Sequence, residues 1–184
     1  MVGGFGIAAF FIFIGSAPFV YIEYYGLTPT QFSLCFALNA ASFFALSQLT
    51  AGLSARFGLA PLIRWSAAGL ATVMTLLAFT TLFGNNLPLM MGLLFIGFGF
   101  RGLLLPAAGV LSLEDHGAVA GSASALLGAI QMITGAISMA LSGVFADHTP
   151  APMLIAIAIS ALAALTVALW TLKRLPPHLA GTVS

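Results

Sequence analysis

Residues Leu87–Leu111 read LPLMMGLLFIGFGFRGLLLPAAGVL, and this stretch decides the fold of the chain. It is apolar on every side of a helix and carries a single charge, Arg101, close to its middle. About 20 mostly apolar residues in a helix cross the hydrocarbon core of a bilayer. The strands of a membrane barrel are about 10 residues long and alternate apolar with polar residues. The stretch therefore predicts a membrane-spanning helix.

Further runs of the same kind fill most of the 184 residues. The six predicted spans are 2–24, 29–53, 59–82, 87–111, 118–144 and 151–172, followed by a short tail, 173–184. Hydrophobic residues make up 61% of the chain and charged residues 5%, whereas a soluble domain carries about 25% charged residues. We therefore expect an all-α, polytopic membrane protein whose single domain, 1–184, is a six-helix bundle.

The basic residues predict the orientation of the bundle, because Lys and Arg in short loops face the cytoplasm. Arg56 and Arg64 flank the second connection, and Lys173 and Arg174 follow the sixth span. The first, third and fifth connections carry no Lys or Arg. An even number of spans places both termini on one side of the membrane. We therefore expect both termini, and with them the tail, in the cytoplasm.

Arg101 is the only charge deep inside a predicted span, where an arginine costs roughly 2.5–3.5 kcal/mol. We expect it to face a water-filled cavity as part of a pathway, although a structural link to helix-end carbonyls is an alternative. Three amides also lie well inside the spans. They are Asn39 and Gln48, which we expect to line one surface of the second span, and Gln131 in the fifth. Since amides also join helices, we expect only some of them to face a cavity.

The end of the first span and the start of the second carry local signals. Pro18 removes a backbone donor and should kink or loosen the first span. Glu23 lies at the outer edge, where we expect a solvated carboxylate and not a buried proton carrier. Thr28 and Gln31, on either side of Pro29, have the pattern of a capping box that begins the second helix.

Small and aromatic residues are expected to serve packing. The small residues of the fifth span form two rows, Gly121–Ala125–Ala129 and Gly128–Gly135–Ser142. Small faces let membrane helices approach closely, so both rows predict helix packing. The many phenylalanines are expected to face lipid or the core.

Nothing in the sequence favours an enzyme, a cofactor site or a metal site. The three histidines, His116, His148 and His178, fall in predicted connections or the tail, so no metal cluster is expected at membrane depth. Serines within the spans lack a histidine base at that depth. The net charge of +1 gives no indication of nucleic-acid binding, and the single cysteine, Cys35, cannot form an intrachain disulfide.

Two regions carry a family resemblance. The first comprises SAPFVYIE at 16–23 and QFSLCFALNA at 31–40; the second comprises PAAG at 106–109, AGSASALLG at 120–128 and Gln131. Together they resemble the C-terminal half of bicyclomycin-resistance (Bcr/CflA-type) drug exporters of the major facilitator superfamily. The segment GLSARFG at 52–58 is similar to that superfamily's cytoplasmic G-x-x-x-D-R-x-G loop, with Ala55 in place of the aspartate.

The resemblance implies that the six spans correspond to helices seven to twelve of a twelve-helix exporter of the bacterial inner membrane. Such exporters exchange drugs for protons by alternating access, around a cavity between two six-helix halves. The first, second, fourth and fifth spans are then expected to line that cavity. The candidate substrate-binding residues are Tyr21 as an aromatic surface, Asn39 and Gln131 as amide hydrogen-bonders, and Arg101 as a cation that selects anionic or carbonyl-bearing groups.

The coupling carboxylate of such exporters belongs to the other half, and no carboxylate lies at membrane depth here. We therefore expect a module that is incomplete without a second six-helix half. A fragment of a longer protein is the first explanation, with a separate N-terminal half or a homodimer of two copies as alternatives. The other expected partners are small drug-like molecules, protons and the lipid bilayer. The alternative function is a non-transporting membrane scaffold or accessory subunit.

Overall fold

A computed structural model of the protein describes residues 2–82, 84, 86–113, 120–145 and 149–173. These ranges contain six long helices and no strand. The helices are α1 (Val2–Pro18), α2 (Pro29–Phe57), α3 (Leu59–Thr80), α4 (Leu87–Leu113), α5 (Ala120–Val144) and α6 (Pro150–Lys173). Six helices in this part of the chain are long and apolar enough to cross a membrane. The predicted all-α class with six membrane-spanning helices is confirmed.

Parts of three predicted regions lie outside the described residues. They are residues 114–119, which contain His116 and the start of the predicted fifth span, residues 146–148, and the tail from residue 174 onward, which contains His178. Within the described ranges, α2 continues to Phe57, beyond the predicted end of the second span. It ends where Gly58 adopts a φ of +85°, a backbone conformation that glycine reaches without a Cβ penalty.

The packing order of the helices differs from their order in the chain. Helix α4 lies between α2 and α3, α3 packs on α6, and α6 packs on α1. Helix α1 also packs on α5 and touches α4. Helix α1 therefore links α5 and α6 to α4. Helices α2 and α5 are the most exposed, with 17% and 6% of their central windows buried, against 44% or more for the others. Each of these two helices has one packed face, α2 on α4 and α5 on α1.

The start of α2 is fixed by the predicted capping box. The hydroxyl of Thr28 accepts a hydrogen bond from the backbone N–H of Gln31 at 3.3 Å. The side-chain oxygen of Gln31 in turn accepts from the backbone N–H of Thr28 at 2.9 Å. Pro29 occupies the first turn, where its missing N–H leaves no donor unsatisfied. The capping box is therefore confirmed.

Replacing Thr28 with alanine is expected to destabilise the protein by about 1 kcal/mol, because one backbone donor at the start of α2 loses its side-chain acceptor. Thermal unfolding of the purified protein in detergent measures the effect. Thr30→Ala is the matched control, since Thr30 is an exposed threonine in the same first turn. Equal melting temperatures for the two variants would contradict the prediction.

Helix α1 changes its winding at Pro18. From Phe19 to Tyr24 the chain continues as a π-helical segment, and this wider turn confirms the loosening predicted from the proline. Within the segment Tyr21 is fully buried, whereas Glu23 is exposed. The exposed carboxylate agrees with the expectation that Glu23 is not buried inside the bundle.

Candidate functional site

A cavity of about 430 Å³ lies between α1, α2, α4 and α5. These are the four helices expected to line a substrate cavity. Its walls are mainly aromatic and are formed by Phe10, Phe11, Phe36, Phe43, Phe44 and Phe98. Arg101 is the one charged residue among the described residues of the lining. The cavity is thus bordered by α2 and α5, the two most exposed helices of the bundle.

Arg101 is buried in this aromatic wall, with 5% of its surface exposed. Its guanidinium carbon lies 4.4 Å from the ring centre of Phe10, 5.6 Å from that of Phe98 and 5.9 Å from that of Phe43. A cation over an aromatic face gains about 0.5–2 kcal/mol. The Nε atom has no hydrogen-bond partner. The rings therefore offset part of the desolvation of the charge, and the Nε–H donor is left unused.

Two contacts between α2 and α4 hold this wall in place. The hydroxyl of Ser42 donates to the carbonyl oxygen of Phe95 at 2.7 Å, and that of Thr50 donates to the carbonyl oxygen of Gly102 at 3.4 Å. A Cβ atom at Gly102 would collide with the backbone carbonyl of Phe43. The absence of a side chain next to Arg101 thus lets α2 approach closely enough for Phe43 to reach the guanidinium.

A series of aromatic contacts connects the cavity with the π-helical segment. Phe10 contacts Phe98 at 6.2 Å between ring centres, and Phe98 contacts Phe13 at 5.0 Å. Phe13 also contacts Phe36 at 6.0 Å and Tyr21 at 6.4 Å. The sequence did not distinguish these phenylalanines from lipid-facing ones. The spacing of seven between Phe36 and Phe43, which places both on one face of α2, is the signal that was available.

The four candidate residues occupy three separate places. Arg101 lies in the cavity. Tyr21 and Asn39 are both buried, with 0% and 2% exposed surface, and do not line it. The Asn39 amide lies near the Tyr21 hydroxyl, but that hydroxyl has no hydrogen bond of good geometry. Gln131 on α5 is half-buried and also stays outside the lining, which its neighbour Met132 joins. The substrate-binding roles of these four residues remain predictions.

The expectation that Asn39 and Gln48 share one surface of α2 is wrong. Asn39 is buried, whereas Gln48 is exposed. The helix turns by about 100° per residue, so an advance of nine residues places the two side chains on opposite sides of α2.

The two small-residue rows of α5 behave differently. Gly135 and Ser142 are buried, and a Cβ atom at Gly135 would lie 2.6 Å from the ring of Phe11 on α1. This row packs as predicted, apart from Gly128, where an added Cβ atom would meet nothing within 4 Å. The other row does not pack inside this bundle. Its members Gly121, Ala125 and Ala129 are all exposed.

The chemistry of the cavity is suited to binding. Its described lining offers hydrocarbon side chains, aromatic rings and one guanidinium, without a nucleophile or an acid–base pair. In the part of the chain that the structure describes, no three potential ligands among His, Cys, Asp and Glu come together to hold a metal ion.

The chain is similar to the uncharacterized MFS-type transporter YdgK of Bacillus subtilis (strain 168), with 29% identity over 143 residues. The similarity covers 78% of the chain and 35% of that protein, so the chain spans about a third of the length of the curated relative that it matches. No protein-family model matches the chain, and no solved structure matches it. The similarity supports a relationship with MFS-type transporters and does not reach the narrower Bcr/CflA-type resemblance.

Proposed function

We propose that this chain is one six-helix half of an MFS-type transporter of the bacterial inner membrane, with both termini in the cytoplasm. The transporter exports small drug-like molecules in exchange for protons, and alternating access moves the substrate. The cavity around Arg101 is the observation that carries the proposal. A charge at membrane depth marks a substrate or ion pathway by default, and this one borders a space of about 430 Å³, which is large enough for a small ligand.

The proposal includes a second six-helix half, which covers the side of the cavity between α2 and α5. Those two helices are the least buried of the six. The small residues Gly121, Ala125 and Ala129 form an exposed row on α5, and such rows allow close helix contacts in membranes. The 35% coverage of the similar transporter agrees with a module of a larger protein. We favour a half joined to, or paired with, a different half over a homodimer. Among the described residues Glu23 is the only carboxylate, and it is exposed, while the sequence places the other three acidic residues in connections.

The proposal is tested in cells that carry the gene at its native locus, so that any further part of the protein is retained. Accumulation of a panel of drug-like compounds is compared between wild type, a deletion strain and the Arg101→Ala variant. We expect export of at least one compound to fall about tenfold in the variant, the effect of losing ~1.4 kcal/mol of binding free energy. Membrane abundance of the protein should hold, and a protonophore should abolish the difference between wild type and deletion.

Arg64→Ala is the matched control, because Arg64 is exposed on α3 and should leave export unchanged. If Arg101→Ala lowers the abundance of the protein without a specific export defect, Arg101 is structural and the scaffold function is favoured. If the deletion changes the accumulation of no compound in the panel, the proposal of drug export fails.

A further inference from the structure

We infer that the cavity around Arg101 takes an aromatic organic anion: a flat ring system bearing a carboxylate, which the guanidinium pairs. This inference rests on the proposed function, since it names the substrate class of the same cavity. It goes beyond a general preference for drug-like molecules, because it excludes organic cations and ranks neutral carbonyl compounds second.

The first argument is the missing counter-charge. Glu23 is the only acidic residue among the described residues, and it is exposed at the outer end of the π-helical segment. The other acidic residues of the chain, Glu114, Asp115 and Asp147, lie in the connections by sequence. Among the described residues, no carboxylate is therefore left to pair with Arg101 inside the bundle. A buried ion without a partner is strongly disfavoured, so an anionic ligand gains more here than it would beside an arginine that is already paired.

The second argument is the geometry of the guanidinium. Its carbon lies 4.4 Å from the ring centre of Phe10, while its Nε finds no acceptor. The ring supplies no oxygen or nitrogen acceptor, so this contact does not satisfy the N–H donors along the edge of the planar group. A carboxylate accepts two parallel hydrogen bonds from that edge, which is the strong and geometrically specific pairing of arginine. A single amide or ketone oxygen carries no net charge and makes the weaker neutral-acceptor bond.

The third argument is the remainder of the wall. Phe36, Phe43 and Phe98 line the cavity together with aliphatic side chains. Aromatic rings favour offset-stacked or edge-to-face contact with another ring, so the body of the ligand is expected to be flat and aromatic. Aromatic walls by themselves also suit organic cations. Here the guanidinium of Arg101 already lies within 6 Å of three of the rings, those of Phe10, Phe43 and Phe98, and a second positive charge would be repelled.

The experiment uses three probes that share one ring system and differ in charge: naphthoate, naphthamide and naphthylmethylammonium. Their binding to the full 184-residue chain in lipid nanodiscs is measured by equilibrium dialysis, with empty nanodiscs correcting for partition into lipid. For the wild-type chain we expect naphthoate to bind at least tenfold more tightly than naphthamide, and the ammonium probe to bind most weakly. This comparison needs no mutation, so it does not depend on the folding of a variant.

Two substitutions assign the preference to its residue. Arg101→Met keeps a long apolar side chain and should reduce the ratio of naphthoate to naphthamide affinity to about one, whereas Arg101→Lys should keep part of it. Arg64→Met, at an exposed arginine, should leave the ratio unchanged. The inference is overturned if naphthamide or the ammonium probe binds wild type as tightly as naphthoate, or if the preference survives in Arg101→Met.

The inference and the proposed function fail separately. An Arg101-dependent preference for naphthoate, together with no change of accumulation in the deletion strain, would leave an anion-binding membrane protein that does not export. Energy-dependent export restricted to neutral or cationic compounds, with no naphthoate preference, would keep the transporter and refute the anion site.

Discussion

Replacing Gly102 with alanine is expected to destabilise the bundle by about 2 kcal/mol. The new Cβ atom would collide with the backbone carbonyl of Phe43 on α2, and backbone yields only if the whole helix moves. Overpacking of this kind costs about 1–3 kcal/mol, and a rigid obstacle places Gly102 at the upper end. The gain from alanine's higher helix propensity offsets about 1 kcal/mol.

The measurement is unfolding of the purified protein in detergent, with Gly109→Ala as the matched control. Gly109 lies on the same helix, and a Cβ atom there meets nothing within 4 Å, so only the propensity gain remains. We expect Gly102→Ala to melt at a lower temperature than wild type, and Gly109→Ala at an equal or higher one. If both glycine variants are equally stable, α2 does not approach α4 as closely as the structure indicates.

The same substitution should also reduce ligand binding in the cavity around Arg101. The two helices can accept a methyl group at Gly102 only by separating, and this moves Phe43 away from Arg101. Separation also stretches the bond from the Thr50 hydroxyl to the Gly102 carbonyl oxygen, which already measures 3.4 Å. Affinity for the naphthoate probe should therefore fall in Gly102→Ala and stay at the wild-type level in Gly109→Ala.

The spans were predictable from sequence because a bilayer imposes one requirement on each of them, about 20 apolar residues in a row. The position of Arg101 beside a cavity was predictable for a related reason. A single charge at that depth is costly enough to need an explanation by itself. Both inferences use composition at a known depth, and neither requires knowledge of which helices touch.

The packing order and the aromatic wall could not be predicted in the same way. Lipid tails are as apolar as a protein core, so a phenylalanine that faces lipid and one that faces the cavity look alike in the sequence. Phe44 lines the cavity although 63% of its surface is exposed, whereas Phe13 is 1% exposed in the core. The placement of Asn39 and Gln48 failed on helical geometry and not on composition. In a soluble protein the outer face of each helix is polar, so the apolar residues that point inward can be recognised from the sequence.

Enlarging Ala125 to leucine is expected to leave the folding of this chain intact and to reduce export in cells about tenfold or more. Ala125 lies in the exposed row of α5 and packs on nothing that would resist a larger side chain within the bundle. If the proposed second half packs on this row, the added atoms separate the two halves. This overpacking weakens the free energy of their association by about 2 kcal/mol. Tenfold corresponds to ~1.4 kcal/mol, so the effect should exceed that threshold.

The test combines unfolding of the purified chain with compound accumulation in cells that carry the variant at the native locus. Thr72→Leu is the control, because Thr72 is exposed on α3, away from the proposed contact, and should change neither measurement. Unchanged export in Ala125→Leu would mean that this row of α5 faces lipid, and the second half would have to meet the bundle elsewhere. Loss of export without loss of stability would place a partner on α5, because lipid yields to a leucine and a packed helix does not.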